Sequence, residues 1–510
     1  MKGVAGRALV LVGFMGSGKS AAARSITPDA LDTDVLIEAE LGASVETIFR
    51  RDGEPAFRES EERITLKGLD QAAAGAGSGL ISLGGGALTS ERVRAALKHH
   101  TVVFLDADVD TLWKRVSRSK RPLAADRDGF DSLFEKREAA YLAAADVVLP
   151  ALRRDTLASA MPDIHRLAAL GRGPKLLWAE ADSANYPVWI GSGIAGRVPL
   201  PGARRWAVIS DGNVAGLHGD LLDSVMSRHV IEPGEEHKTL ETCERLWTEL
   251  ATAGVTRDDG IIALGGGVVG DVAGFVAASF QRGIPIVQMP TTLVAQVDSA
   301  YGGKTGVDLP SAKNYVGAYH QPAAVVADVD LLETLPAAER AAGMAEVIKT
   351  GLIAGGLLWD HVSSGGEVDD ALVLACARTK LAVVREDERD GGRRQVLNFG
   401  HTIGHAIETA TEYRQFRHGE AVSIGLMAAL RLSGHAGLRE QVGHLLELAS
   451  LPLAAPGVDC QSVMEALRSD KKRRGDGTVP FVLCEAPGMV THGHVVPEAA
   501  VRAAVEEVCS

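Results

Sequence analysis

A chain of 510 residues is too long for one hydrophobic core and is expected to divide into about three domains. With 46% hydrophobic and 23% charged residues and no low-complexity tract, its composition is that of a globular protein, which excludes disordered and fibrous classes. The formal net charge of -13 argues against a nucleic-acid surface, because phosphate backbones are bound chiefly by Lys and Arg; an anionic substrate must meet a local basic pocket.

The five cysteines, Cys243, Cys376, Cys460, Cys484 and Cys509, include no C-x-x-C pair. That fits a reducing cytoplasm and excludes a zinc site built on close thiolate pairs. The opening "MKGVAGRALVLVGFMGSGKS" has a short, Gly-broken apolar run leading into a Lys-Ser motif without a cleavage site, so it reads as a first strand rather than a targeting signal. The stretch from Ile261 to Phe280 is long enough to cross a bilayer but holds five glycines and Asp271; a strand, a turn and a helix account for it, and no membrane association is expected.

From Arg7 to about Leu149, β-rich runs ("ALVLVGF", "GLISLGGG", "TVVFLDA") alternate with long amphipathic stretches, which predicts a parallel sheet flanked by helices. Gly and Pro in "GRGPK", Gly171 to Lys175, interrupt the pattern, and a new β-rich block opens near "YPVWIGSG". A second α/β stretch ("RWAVISD", "GIIALGGG", "PIVQMP", "AAVVADVD") follows, and after "TLPAAER" the periodicity is mostly helical. The expected fold class is α/β throughout the first two parts: a domain over 1–167, a linker over 168–184, a second α/β domain over 185–335 and a mainly helical domain over 336–510. The Gly triplets in "ISLGGGALTS" and "IALGGGVVGD" echo each other while their flanks do not, so they mark two sites using one backbone device rather than a duplication.

The first site begins at "GFMGSGKS", Gly13 to Ser20, which satisfies G-x-x-x-x-G-K-[ST] between a predicted strand and helix. Gly13, Gly16, Ser17 and Gly18 let successive backbone N–H groups face phosphates, Lys19 reaches the β and γ oxygens of ATP, and Ser20 holds Mg2+. "GGKTG" at 302 to 306 is not a second such loop, since Asp298 stands where the first Gly belongs. In "LDTD", Asp32 and Asp34 are placed at i and i+2 on a strand, pointing the same way, one toward the metal's water shell and one toward a substrate hydroxyl. Arg58, the triplet Gly84, Gly85 and Gly86, Arg121 in "KRPLAAD" and Arg137 in "EKREAAY" complete the set.

In order and spacing, these motifs over residues 7 to 150 resemble shikimate kinase. The resemblance implies a nucleoside-monophosphate-kinase-like P-loop fold that transfers the γ-phosphoryl of ATP to the 3-hydroxyl of shikimate. Asp34 would act as base, Arg58 and Arg137 would clamp the substrate carboxylate, Gly84 to Gly86 would let main chain approach the ring, Arg121 would meet the phosphoryl from a lid, and Asp32 would serve the Mg2+ shell. A planar guanidinium suits a carboxylate, and a cation suits charge developing on phosphoryl oxygens. One departure, "RPLAAD" in place of a second Leu after Arg-Pro-Leu, bears on lid packing.

The second site gathers around "DDGIIALGGGVVGD", "PGEEHKTL" and "PTTLVAQVDSAYGGKTGVDLP". Glu235 and Lys238 suit ribose hydroxyls; Thr291 and Thr292 supply hydroxyls, Asp298 a carboxylate and Lys304 a cation. The helical part holds "AEVIK" (Glu346, Lys349), "RRQVLNFGHTIGHAIE" (Arg394, Asn398, His401, His405) and "RHGEA" (His418). His401 and His405, at i and i+4, share a helix face, and with a Glu and a further His they offer the N and O ligands of an open zinc site. There is no H-E-x-x-H, which argues against a zincin protease.

Across roughly 185 to 490 this part resembles 3-dehydroquinate synthase, motif by motif. The resemblance implies an α/β NAD-binding domain, a helical metal-binding domain and a homodimer. NAD+ would be held by Glu235, Lys238, Gly266, Gly267, Val268, Asp271, Thr291, Thr292, Lys313 and Thr334. Zn2+, or another divalent ion such as Co2+, would be ligated by Glu346, His401 and His418. The substrate phosphate would meet His405, Lys304, Asn314, Lys349 and Asn398, with Arg282 donated by the partner subunit, and the substrate carboxylate would meet Lys380, Arg394 and one of Lys471 or Lys472. Asp298, Lys304, Lys349 and His405 would act in catalysis. The implied reaction converts 3-deoxy-D-arabino-heptulosonate 7-phosphate to 3-dehydroquinate and phosphate, with NAD+ regenerated each turnover. Sister sugar-phosphate cyclases share fold, NAD and metal but act on substrates without a carboxylate; Lys380, Arg394 and Lys471/Lys472 argue for the acid. The other alternative is a catalytically silent half retained as a structural module.

Overall fold

The computed structural model describes residues 6–117, 126–310, 312–474 and 479–510, the side chains of 470–474 excepted. The chain divides into two units, up to Ala179 and from Glu180.

In the first unit the apolar runs become short, largely buried strands, β1 (Leu9–Val12), β3 (Leu80–Ser82), β4 (Thr101–Asp106), β5 (Val147–Pro150) and β6 (Lys175–Glu180), with a half-buried two-residue strand β2 (Leu31–Asp32) at the edge. Between them run α1 (Lys19–Ile26), α2 (Thr33–Leu41), α3 (Val45–Ala73), α4 (Glu91–Leu97), α5 (Val109–Val116), α6 (Arg127–Ala144) and α7 (Thr156–Leu170). The strands pair in parallel in the order β2-β3-β1-β4-β5, with Val10 opposite both Ile81 and Val102, and Leu176 and Leu177 of β6 pairing with Val147 and Val148. Continuous Val, Ile and Leu runs are what a parallel sheet covered on both faces demands. The carboxyl ends of β1, β2 and β3 thereby open together, the usual ligand edge of such sheets.

In the second unit β7 (Asn185–Gly191), β8 (Trp206–Asp211), β9 (Ser227–Ile231), β10 (Gly260–Gly265), β11 (Ile286–Pro290) and β14 (Ala324–Asp328) form a parallel set in the order β7-β14-β11-β10-β8-β9. β12 (Lys304–Leu309) and β13 (Ala312–Tyr319) pair antiparallel apart from it. Helices α8 (Gly212–His218), α9 (Leu240–Thr252) and α10 (Gly267–Ser279) belong to this part. Val272, Ala273, Val276 and Ala277 of α10 pack on Ile261 and Ala263 of β10 and Ile286 of β11. The bilayer-length stretch is therefore a buried strand, a glycine turn and a buried helix. Among the described residues no helix is long and apolar enough to cross a membrane.

The rest is mainly helical: α11 (Ala337–Ala354), α12 (Gly356–Ser363), α13 (Asp370–Glu386), α14 (His401–Ala410), α15 (His418–Ser433), α16 (Ala436–Leu448), α17 (Cys460–Arg474) and α18 (Glu498–Cys509), with one antiparallel hairpin of β15 (Pro480–Cys484) and β16 (Val490–Val495).

Three features differ from the sequence reading. Residues 168–184 are not a bare linker: they hold the end of α7, the turn at 171–174 and all of β6, because "KLLWAE" is apolar enough to be buried as a strand. Asp34 is not on a strand two residues after Asp32. β2 ends at Asp32, whose side chain accepts the Asp34 N–H at 3.1 Å as the N-cap of α2, so Asp34 lies in the helix's first turn. The helical third also contains the hairpin β15–β16.

Candidate functional sites

The loop from Gly13 to Gly18 joins the buried end of β1 to α1. Gly13, Gly16 and Gly18 have φ of 151°, 87° and 85°, backbone that side chains disfavour. Gly18 caps α1 without any side-chain bond, which leaves the helix's first N–H groups facing into the loop, an arrangement suited to phosphate. Lys19 Nζ donates to the carbonyls of Gly13 at 2.8 Å and Phe14 at 3.1 Å, so the ammonium lies across the same concavity. Arg115 Nη1 closes one side by donating to Gly16 O at 3.1 Å.

Beside the loop the structure brings together Asp34, Arg58, the Gly triplet and Arg137. Thr33 Oγ1 accepts the Gly84 N–H at 2.7 Å, tying the start of α2 to the triplet. A Cβ on Gly84 would stand 2.8 Å from Glu61 Oε1 and 3.0 Å from Asp34 Oδ1, so two carboxylates converge where the triplet has no side chains. Arg137 Nη1 and the Tyr141 hydroxyl both donate to Gly85 O, at 3.0 and 2.5 Å. Arg58 pairs with Glu61 and, at 3.1 Å, with Glu54. Glu61 and Tyr141 were not singled out in the sequence, although R-x-x-E at 58 to 61 is a helical i,i+3 ion-pair spacing. Burial raises the Glu61 pKa, and Arg58 opposes it. Arg121 lies outside the described residues.

In the second unit Glu346 of α11 is buried among His401 of α14 and His418 of α15. Glu346 Oε1 has no hydrogen-bond partner and lies 3.5 Å from His401 Nε2 and 3.6 Å from His418 Nε2. Ligand atoms at about 2.1 Å from a tetrahedral zinc are roughly 3.4 Å apart, so this spacing and this O, N, N donor set fit the ion. The imidazoles are oriented for it. His401 Nδ1 is 3.1 Å from the Phe399 carbonyl, which can only accept, so the proton is on Nδ1 and the Nε2 lone pair is free. His418 Nδ1 faces the Glu408 carboxylate at 3.3 Å, which leaves Nε2 as the nitrogen turned toward Glu346. Burial, with Lys349 nearby, lowers the His401 pKa to about 3, while for His418 hydrogen bonds to Glu346 and Glu408 outweigh burial and raise it to about 9. His405, one turn beyond His401, is exposed, with its ring centroid 5.2 Å from that of His401. His405, Glu408 and His418 form a second set of ligand type, but there Glu408 already engages His418.

Around the triad runs a chain of alternating charges. Asp271 is 2.6 Å from Lys238, Lys238 is 3.7 Å from Glu235, Glu235 is 3.2 Å from Lys313, and Lys313 is 3.5 Å from Glu408. On the other side of Glu346, Lys349 pairs with it and stands 3.7 Å from Asp298, which pairs in turn with Lys380. Burial alone would raise the Asp298 pKa, but Lys349 and Lys380 outweigh it and hold it at about 2. Of the residues expected to hold NAD+, Gly266 is the N-cap of α10, Gly267 and Val268 open that helix, and a Cβ on Gly266 would meet Thr292 Cγ2 at 2.8 Å. Thr291 Oγ1 is buried without a hydrogen-bond partner. Thr334 is further along, bonded to His218 at 2.8 Å.

The other predicted substrate residues differ in setting. Lys304 pairs with Asp390 at 2.6 Å and is half exposed. Arg394 is buried and donates to the carbonyls of Glu388 and, at 3.0 Å, Gly302, so one donor fastens the "YGGK" turn and another holds the main chain at Glu388. Asn398 is half-buried at the start of the segment leading into α14. Asn314 and Arg282 are exposed with φ of 52° and 71°. The side chains of Lys471 and Lys472 lie outside the described residues. Glu408 and Asp390 were missed by the sequence reading.

The family model described as 3-dehydroquinate synthase N-terminal matches residues 228–342, and that described as 3-dehydroquinate synthase C-terminal matches residues 343–473. The 3-dehydroquinate synthase of Halorhodospira halophila is 43% identical over 351 residues, covering 65% of this chain and 99% of that protein. The chain belongs to the 3-dehydroquinate synthase family. Among solved structures, 2-deoxy-scyllo-inosose synthase, complexed with carbaglucose-6-phosphate, NAD+ and Co2+, matches the synthase part with a TM-score of 0.58 at 28% identity, over 66% of this chain and 100% of that one. The 2-epi-5-epi-valiolone synthase of Streptomyces hygroscopicus subsp. jinggangensis, with NAD+ and Zn2+ bound, gives a TM-score of 0.59 at 27% identity, over 65% of this chain and 98% of that one. Identity to the dehydroquinate synthase is well above identity to these sister cyclases, so the sister-cyclase reading finds no support. The shikimate kinase family model matches residues 15–162. The synthase is therefore fused to a shikimate kinase, and the chain is a bifunctional enzyme of the shikimate pathway.

Proposed function

We propose that each activity is carried by its own unit, with the residues assigned as follows. In the kinase, Lys19 and the N–H groups of Gly13 to Ser20 hold the phosphates of ATP, while Ser20 and the water shell of Asp32 hold Mg2+. Arg58 and Arg137 clamp the shikimate carboxylate, Glu61 holds Arg58 in place, and Asp34 takes the proton of the 3-hydroxyl as the phosphoryl group moves. Arg121 comes to the same phosphoryl from outside.

In the synthase, Glu346, His401 and His418 hold the divalent ion, and Gly266, Gly267, Val268, Asp271, Thr291, Thr292, Glu235, Lys238, Lys313 and Thr334 hold NAD+. A divalent ion held by these residues would supply acidity to a substrate hydroxyl, and a nicotinamide held by theirs would supply a hydride acceptor and donor. Lys304, Asn314, Lys349, Asn398 and His405 orient the phosphate of the heptulosonate. Lys380, Arg394 and Lys471 or Lys472 hold its carboxylate. Arg282 completes the phosphate site of a second copy in a homodimer, a reading supported by its exposed, left-handed turn. Five free cysteines support a reducing cytoplasm. The proposed domain limits are 1–167, 185–335 and 336–510.

The observation that carries this reading is the unpartnered Glu346 Oε1 facing two imidazole nitrogens at 3.5 and 3.6 Å. Metal analysis of His401→Ala and Glu346→Gln tests it: both are expected to lose the bound ion and phosphate release while keeping shikimate-dependent ATP consumption.

A further inference from the structure

Glu408 is a buried carboxylate to which no role has yet been given. It lies on α14 three residues after His405 and is 2% exposed. One of its oxygens, Oε1, serves two donors: His418 Nδ1 at 3.3 Å and Lys313 Nζ at 3.5 Å. Oε2 has no hydrogen-bond partner. The Lys313 ammonium also reaches Glu235 Oε1 at 3.2 Å and lies 4.9 Å from the centre of the Tyr413 ring. On the far side of the imidazole, His418 Nε2 faces Glu346 Oε1. A single carboxylate oxygen thus joins a metal-ligand imidazole to a lysine on the cofactor side.

We propose that Glu408 is a positioning residue that couples NAD+ binding to metal binding, by releasing Lys313 to the dinucleotide and giving its charge to His418 alone. This rests on the metal and NAD+ assignments above. A carboxylate that accepts from Nδ1 fixes the imidazole tautomer and makes Nε2 a stronger ligand. An ammonium on the same oxygen withdraws part of that charge, and in a buried setting the competition is weakly screened. When the ribose draws Glu235 and Lys313 into its own contacts, His418 gains the full carboxylate and the metal is held more tightly. Linkage makes the effect reciprocal: the metal tightens NAD+ by the same factor.

The test uses the full-length protein stripped of metal. Zinc affinity is measured by competition with a chromophoric chelator, with and without saturating NAD+, and NAD+ affinity by calorimetric titration with and without zinc. In the unsubstituted protein each ligand is expected to tighten the other by the same factor, about fivefold or more. Glu408→Gln is expected to weaken zinc about tenfold or more and to remove the coupling. Lys313→Met is expected to tighten zinc in the absence of NAD+ by about the factor that NAD+ gives in the unsubstituted protein, and so to remove the coupling, and Glu408→Asp is expected to keep part of the coupling that Glu408→Gln removes. Loss of packing alone would lower stability in all three without changing the coupling factor. Independent binding in the unsubstituted protein, or full coupling in Glu408→Gln, would overturn the proposal. His401→Ala is the control: zinc retained there would overturn the metal assignment itself, whereas zinc lost there with no coupling in the parent would overturn the coupling alone.

Discussion

Lys349 lies one helical turn beyond Glu346 on α11, and the two form an ion pair with both side chains buried. The pair lies within a series of buried or half-buried charges in which each has a neighbour of opposite sign, among them Asp271 with Lys238, Glu346 with Lys349 and Asp298 with Lys380. Such a series keeps Glu346 ionised with or without metal, because burying a lone carboxylate is costly. Removing Lys349 shifts that task to the metal. Lys349→Met is expected to destabilise the metal-free synthase by about 3 kcal/mol and the zinc-loaded one by distinctly less. Thermal unfolding with and without zinc checks this; equal losses would contradict the pairing account.

Gly86 probes the shikimate clamp. A Cβ there would lie 2.0 Å from Arg58 Nη1, so Gly86→Ala must displace the guanidinium that we propose meets the substrate carboxylate. We expect KM for shikimate to rise about tenfold, corresponding to one bidentate contact weakened by about 1.4 kcal/mol, with KM for ATP little changed. Steady-state kinetics in both substrates separates the two effects.

Lys19 tests the independence of the units from the other side. Its ammonium spans the P-loop carbonyls of Gly13 and Phe14, where we propose that the β and γ phosphates of ATP are held. Lys19→Ala is expected to slow phosphoryl transfer by about a hundredfold or more through lost charge stabilisation. Phosphate release from the heptulosonate substrate is expected to be unaffected.

Gly419 links packing to the metal. It follows His418 on α15, and a Cβ there would stand 2.1 Å from the Ala342 carbonyl oxygen of α11. Backbone cannot move aside as a side chain can, so Gly419→Ala pushes α15 away from α11 and His418 away from Glu346. We expect a loss of about 3 kcal/mol of stability together with weakened zinc binding, read by unfolding and metal analysis.

Much of this was legible in the sequence because it depends on short-range rules. The P-loop is one segment with its strand and helix attached. His401 and His405 announce themselves by helical spacing, and the alternation of β-rich and amphipathic runs predicts a parallel sheet in the first part and a second α/β domain after it. What was not legible depends on partners distant in sequence. Glu408 follows His405 by three residues but matters because Lys313 and His418 arrive from other elements. Glu61 reads as one acid in "AFRESE", and only the fold brings it to the Gly triplet. Asp34 was misplaced because "LDTD" looks like a strand end, whereas Asp32 stops the strand by capping the next helix. The hairpin β15–β16 is short, and its alternation is weak beside the helices that surround it.

The central claim, two chemically independent sites in one polypeptide, is tested most directly by assaying both reactions on one preparation before and after removal of zinc with a zinc-selective chelator in excess Mg2+. The account predicts that phosphate release from 3-deoxy-D-arabino-heptulosonate 7-phosphate is lost and returns on adding zinc, while shikimate-dependent ATP consumption is unchanged throughout. Loss of both activities together, or survival of the first without metal, would contradict it.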